Sequence, residues 1–507
     1  MKVFVCNKCG YNEEIDDNQE ISYCPNCGFL DEFNISDSAL ADNEIDAIID
    51  SVLEDVLEVS NSKIINRNEI DKFLEISSDN PLINRNEEKC SNCGLCKRIC
   101  EKAANLTYNL NETDKPLCIN CGHCVINCPT GALSFKTNYK EVKSIIDKNE
   151  KIVVALVDPT TYLSLNKDLS YEKKMVTALR NVGFDFVFNT GFASDVKVLE
   201  DVTEFAERLK NKAMLPMITS SCPAWINYAN IYHKELLNNI STSKTSSQIH
   251  SSLIKTYFCE EKGFDPSKIV TVSITTCTAK SELEPDKYMV DYNLTLNELL
   301  MLFREEEIDI DSLEEKEYDT MLSENSGSSY LLGVVGGESE AFSRTFYRIM
   351  SKTNLNKENM IIKELRNVDG IKDASIQVGE YKLRIAVVEG LVNFEKLLIN
   401  KRYKRYHYIE VMTCKNGCIG GAGNIFNIEK QVLNDRKVSI YTADEEKNIR
   451  CAHDNAELKV LYRKYLKKPL NEKCKEILHN TYVDTNNWQI LKFFKKLLTL
   501  FYIIDKL

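Results

Sequence analysis

The sequence predicts a multidomain α+β/α/β chain, in which small metal-knuckle modules precede a larger α/β domain. Three observations lead there. At 507 residues the chain is too long for one hydrophobic core, so three or more domains are expected. Hydrophobic residues make up 43% and charged residues 28%, the balance of a soluble globular protein. Nineteen cysteines, many at short fixed spacings, call for metal or disulfide chemistry.

Composition narrows the partners. A formal net charge of -12 argues against nucleic acid and anionic membranes as main partners. The N-terminus, MKVFVCNKCGYNEEIDD, turns acidic at once and shows no signal peptide. No stretch approaches the ~18 apolar residues of a membrane span. A cytoplasmic location is expected, where thiols stay reduced and patterned cysteines mean metal rather than disulfides.

Residues 1–35 hold Cys6-x2-Cys9 and Cys24-x2-Cys27, in the knuckle-like contexts CNKCGY and YCPNCGF. Four thiolates at this spacing suit tetrahedral Zn or a single Fe. The pattern resembles rubredoxin-like and zinc-ribbon modules, and spacing alone does not separate the two metals. Residues 36–84 are polar and acidic, with Ile45, Ile49, Val52, Leu53, Val56 and Leu57 at helical spacing. They are expected to form a helical connector.

Residues 85–137 contain Cys90-x2-Cys93-x2-Cys96-x3-Cys100 and Cys118-x2-Cys121-x2-Cys124-x3-Cys128-Pro129. This is the two-cluster bacterial ferredoxin run, in which the fourth cysteine of each run ligates the other cluster. Cys90, Cys93, Cys96 and Cys128 are therefore expected on one 4Fe-4S cluster. Cys118, Cys121, Cys124 and Cys100 are expected on the other. Such a module inside a longer chain acts as a wire between a redox centre and a soluble electron carrier. At the far end, residues 484–507 include an apolar run, Ile490 to Phe501, broken by three lysines. It reads as an amphipathic helix docked on the protein itself.

The remaining cysteines are scattered. Cys222 lies in TSSCPAW, Cys277 in TTCTAKSELE, and Cys414 and Cys418 in EVMTCKNGCIGGAG. Two of these motifs place cysteine beside proline or in glycine-rich turns, where backbone can approach a cluster closely. Cys259, Cys451 and Cys474 read as inert buried thiols.

These three segments resemble the three signature loops of the FeFe hydrogenases, TSCCPxW, MPCxxKxxE and ExMxCxxGCxxGGG, in that order. The resemblance continues through VFNTGFASD (187–195), VDYNLTLNEL (290–299), GVVGGESEA (333–341) and the stretch 364–391. It ends with RCAHDN (450–455) and KCKEILHNTY (473–482), and so spans about 85 to 482. It implies a two-lobed α/β H-cluster domain over 145–483, with a small-subunit-like segment at its end. The cofactor implied is the H-cluster, a 4Fe-4S cubane bridged to a two-iron unit bearing CO, cyanide and a dithiolate. By motif position, Cys222, Cys277, Cys414 and Cys418 hold the cubane, and Cys418 is the thiolate shared with the two-iron unit. Lys280 matches a lysine that hydrogen-bonds a cyanide, and Met412 a methionine packed near the two-iron unit.

Asp201, Glu204 and Arg208 sit at i, i+3 and i+7 in LEDVTEFAER and share one helix face. The resemblance places them, with Ser241 and Ser221, on a proton path. The function implied is reversible H2 = 2 H+ + 2 e-, with electrons relayed through two 4Fe-4S clusters to a carrier such as ferredoxin. Hydrogenase maturation proteins are implied as further partners. An H2 or redox sensor of low turnover and an iron–sulfur cluster assembly factor are the competing readings.

The chain also departs from the family pattern. Ser221 stands where the family has the cysteine that hands the proton to the two-iron unit. A thiol has a pKa of about 8.5, whereas a serine hydroxyl can relay a proton by rotation but stores one poorly. Thr275-Thr276 replaces the Met-Pro before Cys277, and Asp158-Pro159-Thr160 replaces an APA segment. Asp158 is expected to bring a carboxylate toward the two-iron unit. Ser247 stands where a glutamine is the family residue. The thiolates are kept and the residues around them changed, which predicts slow or direction-biased catalysis.

Overall fold

The computed structural model describes residues 80–104, 118–165, 170–211, 214–279, 288–356, 359–378, 381–425 and 430–480, with the backbone of three short strands near the N-terminus. The knuckle cysteines Cys6, Cys9, Cys24 and Cys27, most of the connector expected over 36–84, Lys280 and the tail expected over 484–507 lie outside the described residues. The chain divides into two compact units, Met1–Lys102 with Gly122–Thr137, and Ala103–Cys121 with Asn138–Leu507. In the smaller unit, strand β1 (Lys2–Val5) pairs antiparallel with β2 (Asn12–Ile15) and β3 (Ile35–Ser36). A second antiparallel pair joins β4 (Ile83–Arg85) to β5 (Leu133–Phe135).

The larger unit is mixed α/β with two four-stranded sheets. The first contains β6 (Ile152–Val157), β7 (Phe186–Asn189), β9 (Ile269–Thr275) and β10 (Tyr292–Thr295), in the order β10-β9-β6-β7 and parallel throughout. Its central strands read IVVALV and IVTVSIT and are almost wholly buried. Such near-continuous apolar runs suit a parallel sheet covered on both faces, and β-branched side chains pack well on its pleat. The second sheet runs β11 (Ile371–Val378), β12 (Tyr381–Glu389), β13 (Tyr408–Met412), β8 (Met217–Ile218). Only its β11–β12 pairing is antiparallel.

The loops carrying Cys277 and Cys414 leave the carboxyl ends of β9 and β13. In parallel sheets that end is where ligand sites form, because the connecting loops there are free of the strand pairing. Among the described residues no helix is long and apolar enough to cross a membrane.

Four helices frame these ends: α1 (Gly191–Lys210), α2 (Pro223–Tyr232), α3 (Gly337–Ser351) and α4 (Lys430–Glu446). Helix α3 enters through Gly336, whose φ of 87° is left-handed. A Cβ there would run into the Leu365 carbonyl oxygen. The first turn of α3 is then tied to β13: both carboxylate oxygens of buried Glu410 accept backbone N–H bonds, from Gly336 at 2.6 Å and Ser339 at 2.7 Å. Carboxyl oxygens at a helix N-terminus satisfy donors that have no partner inside the helix.

Helix α4 is locked on by a buried ionic network. Arg344 bonds both Asp444 oxygens, at 2.8 and 2.9 Å, and Glu340 at 2.6 Å. Arg366 bonds Glu340 at 2.8 Å, and Arg450 bonds Asp444 at 2.7 Å. Arg344, Glu340 and Asp444 have no exposed side chain. Arg344→Met should therefore leave Glu340 to Arg366 and Asp444 to Arg450 and Arg366, with the most buried cation gone, and lower stability by about 3 kcal/mol. A denaturant midpoint shift without a change in slope is the expected readout.

Candidate functional site

In the smaller unit, Cys90, Cys93, Cys96 and Cys128 line one pocket of about 390 Å³. Arg85 reaches in with a guanidinium nitrogen 3.4 Å from the Cys90 sulfur. A cation beside a thiol favours the thiolate that metals bind. The structure thus gathers one of the two sets of four expected from the run.

The larger unit gathers the scattered cysteines. Cys222, Cys277, Cys414 and Cys418 converge on a cavity of about 510 Å³. Cys121 lies on the same wall, and so do Ser221 and Met412. The loop before Cys121 is fastened by Asn227 on α2, which donates to the Ile119 carbonyl at 3.2 Å. Thr278 donates to the Asn120 carbonyl at 3.1 Å.

Each thiol is placed by local structure. Cys222 is the N-cap of α2, with Pro223 at the first helical position, so the positive end of the helix faces the sulfur. Cys418 opens a short 3-10 turn, Cys418–Gly420. Gly421 follows it, and a Cβ at that position would collide with the Thr276 carbonyl, so glycine lets the Cys418 and Cys277 loops close on each other.

The donor set fits an iron–sulfur group. Burial, and then the neighbouring sulfurs of Cys222, Cys277, Cys418 and Cys121, push the Cys414 thiol far above its ordinary range. Crowded thiols resist ionising unless a cation is placed among them, and a metal does that. Four convergent sulfurs are the ligand set a cubane requires. By contrast, burial pushes the Cys259 thiol up to about 11 and Cys451 up to about 12. Cys474 is raised as well, again first by burial.

Polar groups run from this cavity toward the surface. Ser241 donates to Asp201 at 2.5 Å and to Glu204 at 3.3 Å. Glu204 also accepts from the Thr242 backbone at 3.0 Å and hydroxyl at 2.9 Å. Arg208 closes the outer end, 2.6 Å from Glu204, and donates to the Ile240 carbonyl at 2.8 Å. Four of the five residues on the expected path are thus brought together on α1 and the loop after Ile240.

Asp201 and Ser221 are joined by two residues that sequence reasoning passed over. Lys197, one turn before Asp201, donates to its carboxylate at 2.8 Å and to Ser220 at 2.8 Å. Its ammonium is 3.6 Å from Glu338, which in turn accepts from the Ser221 hydroxyl at 2.6 Å. The signals were a lysine in the apolar run DVKVL, at i-4 from Asp201, and the glutamate directly after Gly336-Gly337. The Asp158 carboxylate accepts from the Thr160 backbone at 3.0 Å and hydroxyl at 2.7 Å. That is a cap on the following helix. A short polar side chain at such a position bonds the nearest free N–H groups. Ser247 accepts a hydrogen bond from Ser273 at 3.1 Å.

Comparison with known proteins finds family, sequence and structural matches. The family model for the iron only hydrogenase large subunit, C-terminal domain, matches residues 151–422. The iron hydrogenase small subunit matches 430–485, and a 4Fe-4S binding domain matches 112–134. The chain is 32% identical to an NADP-reducing hydrogenase subunit of Solidesulfovibrio fructosivorans, over 78% of this chain and 74% of that one. It is 29% identical to a cytosolic Fe-S cluster assembly factor of Danio rerio, over 67% of this chain and 88% of that one. Among solved structures, an apo FeFe-hydrogenase from Chlamydomonas reinhardtii matches with a TM-score of 0.60 and 29% identity. That match covers 69% of this chain and 99% of the other.

Proposed function

We propose, on the premise that this chain belongs to the iron-only hydrogenase family, that it interconverts H2 with protons and electrons. The observation that carries this reading is the run of proton-bearing side chains from Arg208 at the surface to Ser221 on the cysteine-lined cavity. A protein that only assembles or hands on clusters has no use for such a run.

Cys222, Cys277, Cys414 and Cys418 would hold the H-cluster, which supplies the iron at which H2 is cleaved or formed. The chain's own residues do the rest. Glu204, fixed by Arg208 and Thr242, exchanges protons with solvent; Ser241 passes them to Asp201 by hydroxyl rotation. Buried Met412 closes the wall with a soft side chain that offers no hard ligand. Lys280 follows the cavity residues Cys277, Thr278 and Ala279 in sequence and is assigned the cyanide contact on that basis.

Cys90, Cys93, Cys96 and Cys128 would hold one 4Fe-4S cluster and Cys118, Cys121, Cys124 and Cys100 a second, and these groups would supply the electron route to the site. Cys121 on the cavity wall supports a short last step. The knuckle cysteines Cys6, Cys9, Cys24 and Cys27 take Zn or Fe. The modules are a knuckle module over 1–35, a helical connector over 36–84, a ferredoxin-like module over 85–137, the H-cluster domain over 145–483 and an amphipathic tail. Partners are H2, protons, a soluble carrier such as ferredoxin and hydrogenase maturation proteins, in the cytoplasm.

The likeness to an assembly factor gives a second reading its footing. Infrared spectra of protein produced with maturation proteins separate the cases. Bands of metal-bound CO and cyanide together with H2 turnover are expected. Bands without turnover would point to a sensor, and absence of bands to an assembly role.

A further inference from the structure

We infer that Glu338, paired with Lys197, is the proton carrier at the cavity end of the path, with Ser221 as the hydroxyl bridge between it and the cavity. The inference rests on the hydrogenase reading and goes beyond it, since it gives the storage role of a cysteine thiol to a carboxyl on another helix.

The argument begins with charge. Lys197 is fully buried between two carboxyl groups, Asp201 at 2.8 Å and Glu338 at 3.6 Å, and both are all but fully buried. One ammonium balances one carboxylate. With both carboxyls ionised, the trio would bury a net negative charge, which is costly where the dielectric is low. The trio therefore holds one proton.

Hydrogen bonding decides where that proton sits. Asp201 accepts from Lys197 and, at 2.5 Å, from Ser241, so its charge is well served. Glu338 has the longer ion pair, and its second oxygen is buried without a hydrogen-bond partner among the described residues. Glu338 also accepts from Ser221, but its longer ion pair and unpartnered oxygen serve its charge less well than Asp201 is served, so Glu338 takes the proton. The groups facing Glu338 from other elements agree. Glu410 and Tyr408 on β13 add an acid and a phenol but no cation, and Tyr408 interacts with Glu338, Asp201 and Glu410 alike. Burial raises the Glu338 carboxyl to about 7, against the opposing pull of Lys197 and with a further push from Asp201.

The step balances in protons alone. Ser221 releases its hydroxyl proton toward the cavity and takes the proton of Glu338. Asp201 takes a proton from Glu204 through Ser241 and passes it to Lys197 as Lys197 gives one N–H proton to Glu338. Glu204 regains its proton from solvent. One proton moves inward, no group changes oxidation state, and every carrier ends as it began. The reverse order serves H2 oxidation.

Glu338→Gln keeps the shape and the acceptor for Ser221 but carries no proton. Two measurements test the idea. In the protein as purified, infrared spectra titrated across neutral pH should show a protonated-carboxyl C=O band that shifts in D2O and is missing in Glu338→Gln. In the loaded enzyme, the same variant should keep its CO and cyanide bands and lose turnover by about 10²-fold or more. Glu338→Asp should retain part of the rate. Adding Ser221→Cys to Glu338→Gln should restore turnover, because a thiol at 221 can store the proton itself. A carboxyl band unchanged in Glu338→Gln, or turnover at the parent rate in that variant, overturns the inference. Absence of H2 turnover in the parent overturns the functional reading instead, and the carboxyl band still judges Glu338.

Discussion

Cys418→Ser should abolish H2 turnover and remove the infrared bands of metal-bound CO and cyanide. Cys418 stands on the cavity wall with Cys222, Cys277 and Cys414, at the head of a turn held by close glycine contact. A hydroxyl is a poor ligand for soft iron, so serine keeps the shape and loses the bond. Because Cys418 is assigned the thiolate shared with the two-iron unit, that unit should be lost first, while much of the cubane iron remains on the other three sulfurs. Iron and sulfide assays alongside the infrared spectrum distinguish this from unfolding. Cys259→Ser is the control. Cys259 packs in an apolar cluster of the larger unit with Phe188 and Phe258, so its change should leave the bands and turnover nearly intact. Equal loss in both variants would show that the sorting of ligand and inert cysteines is wrong.

Glu204→Gln should lower turnover by about 10²–10⁴-fold with the infrared bands unchanged, the range attributed to a positioned acid or base. The amide can still accept from Arg208 and reach Thr242, so the loop after Ile240 should stay in place. What it removes is the capacity to take and release a proton at the outer end of the path. The loss should fall on kcat in both directions and bring a larger solvent isotope effect. Turnover at the parent rate would mean that protons enter elsewhere. Arg208→Ala is a poorer test, because Arg208 also holds the carbonyls of Asn239 and Ile240, at 3.1 and 2.8 Å.

Parts of the site were legible in the residues because their chemistry depends on local order. The spacing of Cys90, Cys93 and Cys96 is a property of one loop and one helical turn, and the pocket they share with Cys128 has the ligand set expected of that run. Asp201, Glu204 and Arg208 lie on one face of α1 because a helix repeats every 3.6 residues. Met412 was placed by its motif and lines the cavity.

Lys197 and Glu338 escaped notice for the opposite reason. They are 141 positions apart by their numbers, and neither looks unusual in its own segment. A lysine four residues before an aspartate is an ordinary surface pair on a helix. Only the packing of α1 against the start of α3 buries both and turns a surface pair into a charge trio. The bond from the Thr160 N–H to Asp158 was likewise not legible as such in the residues.

By itself, then, the order of residues determined the resemblance to the family, through motifs spread along the chain, and the cysteines available as ligands and the polar face of α1. The last two follow from spacing or periodicity within a short stretch of chain. Only the tertiary structure decided which carboxyls meet at Lys197, what the Ser221 hydroxyl donates to, and that both lie on the route to the cavity. The physical reason is burial. Charge pairing over a few ångströms matters little in water and much in a dry interior, and which groups share that interior is settled by how distant segments pack.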